Sequence, residues 1–108
     1  MKVFEYDGTS VKLGQNAREN TQLVRESNPN HIWIHLESFP SGHVVIQCEE
    51  PSNEVLTYAM NICLEGTRQK NMKNIKASVT KISNLILTDT DGEVTFKSNR
   101  KVKSVKII

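Results

Sequence analysis

The amino-acid sequence predicts an α+β domain in which two helices pack against a mainly antiparallel sheet. Two observations indicate this class. Short β-type segments separated by turn sequences predict strands, and two segments that begin with capping residues predict helices. In chain order these elements read ββαββαβββ, and strands joined by short turns pair antiparallel. Because 108 residues suit one hydrophobic core, residues 1–108 are interpreted as a single domain.

The first predicted elements are a hairpin and a helix. Residues 3–6 and 11–13 flank a segment rich in Asp, Gly and Ser, which favour turns. Asn16 is predicted to cap the helix, with Glu19 as its reciprocal partner in a capping box. The helix is predicted over Ala17–Glu26, and the Ser-Asn-Pro-Asn sequence that follows ends it, because proline cannot continue a helix.

The next predicted strand pair carries all three histidines and the only tryptophan, within residues 31–46. Side chains along a strand alternate between two faces, so Trp33 and His35 share one face, and the apolar side chains between them point to the other. The run that begins at His43 pairs back across a turn, which returns His43 to the face of Trp33. A core does not require a tryptophan flanked by histidines, so this face is a candidate functional site.

The second helix and the last strands complete the pattern. Ser52 or Asn53 is predicted to cap the helix, and Gly66 occupies the position at which glycine commonly ends one. The apolar stripe of this helix comprises Val55, Leu56, Ala59, Ile62 and Cys63. The remaining strands are predicted over residues 77–87, with a break near 83–84, and over 93–97 and 101–108.

The net charge of +2 hides a strong asymmetry along the chain. Residues 1–65 contain four basic and nine acidic side chains, a net charge of −5, whereas residues 66–108 contain ten basic and three acidic, a net charge of +7. Such a one-sided field attracts polyanions such as nucleic acid. The alternative interpretation is that these lysines and arginines only solvate the surface.

The composition also narrows the class of protein. No apolar run approaches the roughly 20 residues that span a bilayer, and the N-terminus lacks a secretory signal, so we expect a cytoplasmic protein without a membrane partner. Cys48 and Cys63 are then expected to be reduced thiols. His31 and His35 lie about 13 Å apart along a regular strand and cannot share one ion. A site of His35 and His43 with Glu37 or a cysteine is geometrically possible, but no ligand-spacing motif supports it, so neither a metal nor another cofactor is expected.

Alternative roles remain open for two parts of the chain: the sheet face with His35 and His43, and the start of the first predicted helix. His35 and His43 have the pKa range of an acid–base pair, but no nucleophile motif accompanies them, so we expect a non-enzyme. Alternatively, the two rings hold the hairpin together while Trp33 is buried beneath a helix. The junction from Gly14 to Arg18 presents a helix N-terminus, which is either a phosphate site or an ordinary capped turn.

Two segments, LGQNAREN and HIWIHLESFPSGHVVI, resemble the NFACT-R domain family, also called DUF814. The matching residues are Gly14, Asn16, Asn20, Ile32, Trp33, His35, His43 and Val44. The later segments ASVTKISNLI and DGEVTF are similar to family strands, so the resemblance covers nearly the whole chain. The chain departs from the family pattern at Gln15, where the family has a basic residue, at His31, where it has Asp, and at Ser41 and Gly42, whose order is exchanged.

The resemblance implies a small RNA-binding domain that contacts tRNA or ribosomal RNA through phosphates and is linked to translation or ribosome quality control. The RNA-binding residues predicted from the family matches and the basic segment are Gly14, Asn16, Arg18, Asn20, Trp33, His35, His43, Arg68, Lys70 and Lys73. Two alternatives remain: a protein-interaction module that docks on a ribosomal or other partner, and an RNA-processing enzyme that uses the two histidines.

Overall fold

A computed structural model describes residues 1–65 and 74–107 of the chain. Its strands are β1 (Lys2–Tyr6), β2 (Thr9–Leu13), β3 (Ile32–Leu36), β4 (Val44–Ile46), β5 (Lys76–Lys81), β6 (Leu85–Leu87), β7 (Val94–Phe96) and β8 (Lys103–Lys106). Its helices are α1 (Ala17–Glu26) and α2 (Asn53–Glu65), and two short 3₁₀ turns span Ile82–Asn84 and Asn99–Lys101. The predicted α+β class is confirmed. The glycine predicted to end α2, Gly66, lies outside the described residues.

The main sheet has six strands in the order β1-β2-β4-β3-β5-β8, and every neighbouring pair is antiparallel. Strands β6 and β7 form a separate two-stranded sheet. The predicted break near residues 83–84 is the 3₁₀ turn Ile82–Asn84, which separates β5 from β6. The chain leaves the main sheet at this turn, so the predicted strand over residues 77–87 becomes two strands in different sheets.

Helix α1 begins and ends where the sequence predicts and is capped by Asn16, but Glu19 accepts from Gln15, the residue before the cap, rather than from the Asn16 N–H group as a capping box requires. The side-chain oxygen of Asn16 accepts a hydrogen bond from the Glu19 backbone at 2.9 Å, and the Glu19 carboxylate accepts from the Gln15 backbone at 3.0 Å. The N-terminal ammonium group of Met1 lies 2.8 Å from the same carboxylate. Helix α2 is capped by the Ser52 hydroxyl, which accepts from the Val55 backbone.

The two faces of the main sheet are covered by different elements. Helix α2 packs on one face, where Ile34 and Leu36 of β3 join a buried cluster with the apolar residues of the helix. Helix α1 and the β6–β7 hairpin pack on the other face, around Trp33. Full burial of one large apolar side chain contributes about 1.5–3 kcal/mol to the free energy of unfolding. Because β3 buries large side chains on both faces, it stabilises both layers of the fold. Among the described residues, no helix is long and apolar enough to cross a bilayer.

Candidate functional site

Trp33, His35 and His43 pack together on the face of the sheet opposite α2, as strand alternation predicts. The rings of Trp33 and His35 are nearly parallel, at 5° and with centroids 5.8 Å apart, so they stack. The ring of His43 meets both edge-on, at 5.3 Å from Trp33 and 5.0 Å from His35. We call these three residues the Trp–His cluster.

A cleft of about 530 Å³ lies beside the Trp–His cluster. One wall is formed by His35 and the loop that follows β3, and another by the segment from Gly92 to Phe96 that leads into β7. Ser78 of β5 also lines the cleft, because it lies directly opposite His35 in the β3–β5 register. Side chains from distant parts of the chain therefore surround one concave site.

The histidines of this site are held in their neutral form. Burial, together with the neighbouring ring of His35, lowers the pKa of His43 to about 4, against a backbone hydrogen bond at Gly92 that raises it. Burial also lowers the pKa of His35. At pH 7 neither ring carries the proton that a general acid donates.

Two buried hydrogen bonds join His43 to Gly14 and Asn20. The backbone N–H of Gly14 donates to the His43 carbonyl at 2.9 Å, and the backbone N–H of His43 donates to the Asn20 side-chain oxygen at 3.0 Å. A Cβ atom at position 14 would lie 2.1 Å from that oxygen, and one at position 42 would lie 2.3 Å from the Gly14 carbonyl oxygen. Glycine is therefore required at both positions for the strands and helix to approach.

The predicted phosphate site at the start of α1 is occupied by the chain's own side chains. The N–H groups of Gln15 and Glu19 donate to the side-chain oxygens of Glu19 and Asn16. Arg18 is exposed in the first turn of the helix. Gly14, Asn16 and Asn20 thus have structural partners that account for their presence, and their contact with RNA stays a prediction.

Trp33 is 2% exposed, so its ring is not itself open to a ligand. Leu23 and Val24 of α1 and Phe96 of β7 pack around it. The stacked ring of His35 is only partly buried and is the member of the pair that reaches the surface. The expectation that Trp33 is buried under a helix therefore holds, with the β6–β7 hairpin completing the cover.

The loop between β3 and β4 contacts α2 through a thiol. The Cys63 Sγ atom lies 3.4 Å from the Ser41 hydroxyl and 3.5 Å from the Gly42 carbonyl oxygen. Burial raises the pKa of this thiol. Both cysteines, Cys48 and Cys63, are free. Within the described ranges, no three His, Cys, Asp or Glu side chains converge as a metal site.

Only some of the basic residues of the C-terminal half lie within the described part of the chain. Arg68, Lys70 and Lys73 lie outside the described residues. Lys76 and Lys106 are exposed and directly opposite each other in the β5–β8 register. The sequence analysis did not assign them to the site, because cross-strand register depends on long-range pairing.

Asn84 is a further residue that the sequence analysis missed. Its side-chain amide donates to the Thr80 hydroxyl at 3.1 Å and to the Ser98 carbonyl at 2.9 Å, and its oxygen accepts from the Ser98 backbone at 2.9 Å. These bonds attach the start of the basic segment 98–101 to the sheet. An asparagine within the apolar run ISNLIL was the available signal, because a buried amide requires partners.

Together, the fold and the cleft define a small α+β domain with a neutral histidine–aromatic site beside exposed lysines. The family model described as the NFACT protein RNA binding domain matches residues 2–98. The chain therefore belongs to the NFACT RNA-binding domain family, as the sequence resemblance predicts.

Curated relatives extend this assignment. The chain is 29% identical over 98 residues to the Rqc2 homolog RqcH of Bacillus subtilis, covering 88% of this chain and 17% of that protein. It is 28% identical over 107 residues to coiled-coil domain-containing protein 25 of Danio rerio, covering 91% of this chain and 52% of that protein. The chain thus spans about half the length of its relative from Danio rerio, and less of the bacterial one.

A solved structure shares the fold. The C-terminal part of the fibronectin/fibrinogen-binding protein from Streptococcus suis superposes with a TM-score of 0.85 at 23% sequence identity. The match covers 96% of this chain and 43% of that one. At this identity the likeness establishes the common fold alone.

Proposed function

We propose that this chain is a cytoplasmic, non-catalytic domain that binds tRNA or ribosomal RNA through phosphate contacts, in translation or ribosome quality control. Membership of an RNA-binding family supports the general activity. Similarity to the Rqc2 homolog RqcH supports the link to ribosome quality control. The observation that carries the phosphate contacts is the exposed basic edge of the sheet.

This basic edge comprises β8 and the segment before it. Residues 97–107 contain five basic side chains and no acidic one. All five are exposed: Lys97, Arg100, Lys101, Lys103 and Lys106. Asn84 fixes the start of this segment, so the charges are held on a rigid support rather than on a free tail. A phosphate backbone pairs with such a row of cations without reading sequence.

A gel-shift assay with tRNA and with a ribosomal RNA fragment tests the proposal at two salt concentrations. If about four phosphates are neutralised, affinity should fall roughly 50- to 150-fold between about 50 and 200 mM salt, because counterions are released on binding. Absence of binding at the lower salt concentration would overturn the proposal. A protein partner captured after nuclease treatment, in place of RNA, would support the protein-docking alternative.

Two lysine variants provide a matched comparison. Lys106 lies on β8 and Lys2 on β1, the strands at opposite edges of the same sheet, and both side chains are exposed. Lys106→Ala should weaken RNA binding and reduce the slope of log affinity against log salt by roughly one. Lys2→Ala removes the same charge from the other edge and should leave both quantities unchanged.

The absence of catalysis is tested separately. The neutral His35 and His43 support a binding site rather than an acid–base pair. Labelled RNA incubated with the chain and with His35→Ala should remain intact in both cases. Cleavage by the unmodified chain that disappears in the variant would contradict this part of the proposal.

A further inference from the structure

We propose that the cleft beside the Trp–His cluster holds one unpaired RNA base that carries an exocyclic amino group, while Lys76 and Lys106 hold its phosphate. This inference rests on the proposed RNA binding and names the part of the RNA that the site recognises. It follows from the aromatic wall of the cleft, its charge and the strand register beside it.

The aromatic wall of the cleft offers a stacking surface for a flat ring. Trp33 covers one face of the His35 ring in a parallel stack, and the Nδ1 atom of His35 is bonded to the Leu36 carbonyl at 2.7 Å. The His35 ring is therefore fixed in orientation before any ligand arrives. Proteins commonly hold unstacked bases against such fixed aromatic side chains, so a base can extend the stack from Trp33 through His35.

The charge of the cleft selects a base over a phosphate. Burial lowers the pKa of His35 and of His43, so both rings are neutral at pH 7. Among the described residues that line the cleft, Glu93 is the one acidic side chain, and none is Lys or Arg. A carboxylate repels phosphate and accepts hydrogen bonds from amino groups. Adenine, cytosine and guanine carry an exocyclic amino group and uracil does not.

The strand register places cations one step from the cleft. His35 lies opposite Ser78, and Ser78 lies opposite Ser104, in a row across β3, β5 and β8. Two residues further along the same face, Lys76 lies opposite Lys106. At the usual strand rise this second row is about 7 Å from the first, the scale of one nucleotide. The serine hydroxyls lie in the row of His35, where a ribose would pass.

Glu37 is an acidic neighbour of this row, because its backbone N–H donates to the Lys76 carbonyl at 2.9 Å. One carboxylate beside two lysines leaves the row with a net positive charge. The row therefore retains its attraction for a phosphate group, in contrast to the cleft with Glu93.

Two polar atoms of the cluster have no hydrogen-bond partner within the described residues. They are the Nε1 atom of Trp33 and the Nδ1 atom of His43, and each side chain is 2% exposed. Both atoms are enclosed within the cluster, so a base in the cleft is held by the accessible part of the His35 ring and by Glu93, not by these two atoms.

Fluorescence anisotropy with labelled single-stranded octamers of A, C and U tests the inference on the full chain. The octamers of A and C should bind about tenfold more tightly than the octamer of U. Glu93→Gln should bring the three affinities within about twofold of one another, because the amide also donates hydrogen bonds and no longer discriminates. Glu50→Gln is the matched control: an exposed glutamate in the loop before α2, whose loss should leave the preference intact.

The outcomes separate this inference from the proposed function. If tRNA binds but the unmodified chain shows no preference for A and C, or Glu93→Gln retains it, the base site is overturned and the proposed function stands. If neither tRNA nor any octamer binds at low salt, both are overturned. Glu93 is exposed, so its variant should fold and leave the comparison interpretable.

Discussion

Gly14→Ala and Asn20→Ala should destabilise the chain through one shared hydrogen bond, so their effects should not add. The Asn20 side-chain oxygen accepts from the His43 backbone at 3.0 Å, and a Cβ atom at position 14 would lie 2.1 Å from the same oxygen. Alanine at position 14 therefore forces the Asn20 amide away from His43. Gly14→Ala therefore breaks the hydrogen bond between the His43 N–H group and the Asn20 side chain, which Asn20→Ala removes directly.

The size of each effect follows from burial. Asn20 is 8% exposed and His43 is 2% exposed, so either substitution leaves the His43 N–H group unpaired in the interior. An unpaired buried donor costs about 1–3 kcal/mol, and independent losses of about 2 kcal/mol each would sum to about 4 kcal/mol. Because the double variant loses the bond once, we expect it to lose only about 2 kcal/mol.

Urea denaturation followed by the fluorescence of Trp33, the single tryptophan, measures the free energy of unfolding for each variant. Asn61→Ala, at an exposed position of α2, is the control and should change this free energy by less than about 0.5 kcal/mol. A double variant that loses the full sum of the single losses would refute the shared-bond reasoning.

Three further predictions concern Asn84, His43 and the cap of α1. Asn84→Ala should lower the free energy of unfolding by about 2–4 kcal/mol in urea denaturation, since the three hydrogen bonds of the buried Asn84 amide are lost; an unchanged midpoint would contradict this. Stability should fall as the pH drops from 6.5 towards 4, by up to about 3 kcal/mol, because burial lowers the pKa of His43 to about 4 and the unfolded chain takes up the proton first. His43→Gln should flatten that pH profile, and an equally steep profile would assign the titration elsewhere. Asn16→Ala should cost about 1 kcal/mol, seen as a lower Tm, because the Glu19 N–H loses its acceptor.

Local elements of the fold were predictable because their signals are local. The Asn16 cap set the start of α1, and the period of two in β3 placed Trp33 and His35 on one face. The order of strands in the sheet was not predictable, because β3 pairs with β5 across the 39 residues from 37 to 75. The separation of β6 from the main sheet likewise depends on Asn84 and its partners fourteen residues away.

Of the candidate site, only the grouping of Trp33, His35 and His43 was predictable from the sequence. Alternation and the turn after β3 brought His43 to Trp33 and His35, but the wall with Glu93 comes from a distant hairpin. Lys76 and Lys106 meet through the β5–β8 register, for which the sequence carries no local signal. Membership of the RNA-binding family was predicted from the resemblance of two sequence segments to that family, and the family match confirms it.

The reactivity of the Cys63 thiol reports how often the loop between β3 and β4 moves away from α2. Thiol reagents attack the thiolate, and both burial and the raised pKa of Cys63 suppress that form in the folded chain. Labelling of Cys63 therefore requires Ser41 and Gly42 to move away, so its rate measures how often this loop opens. The partly exposed Cys48 reacts without that opening and supplies an internal reference in the same mass spectrum.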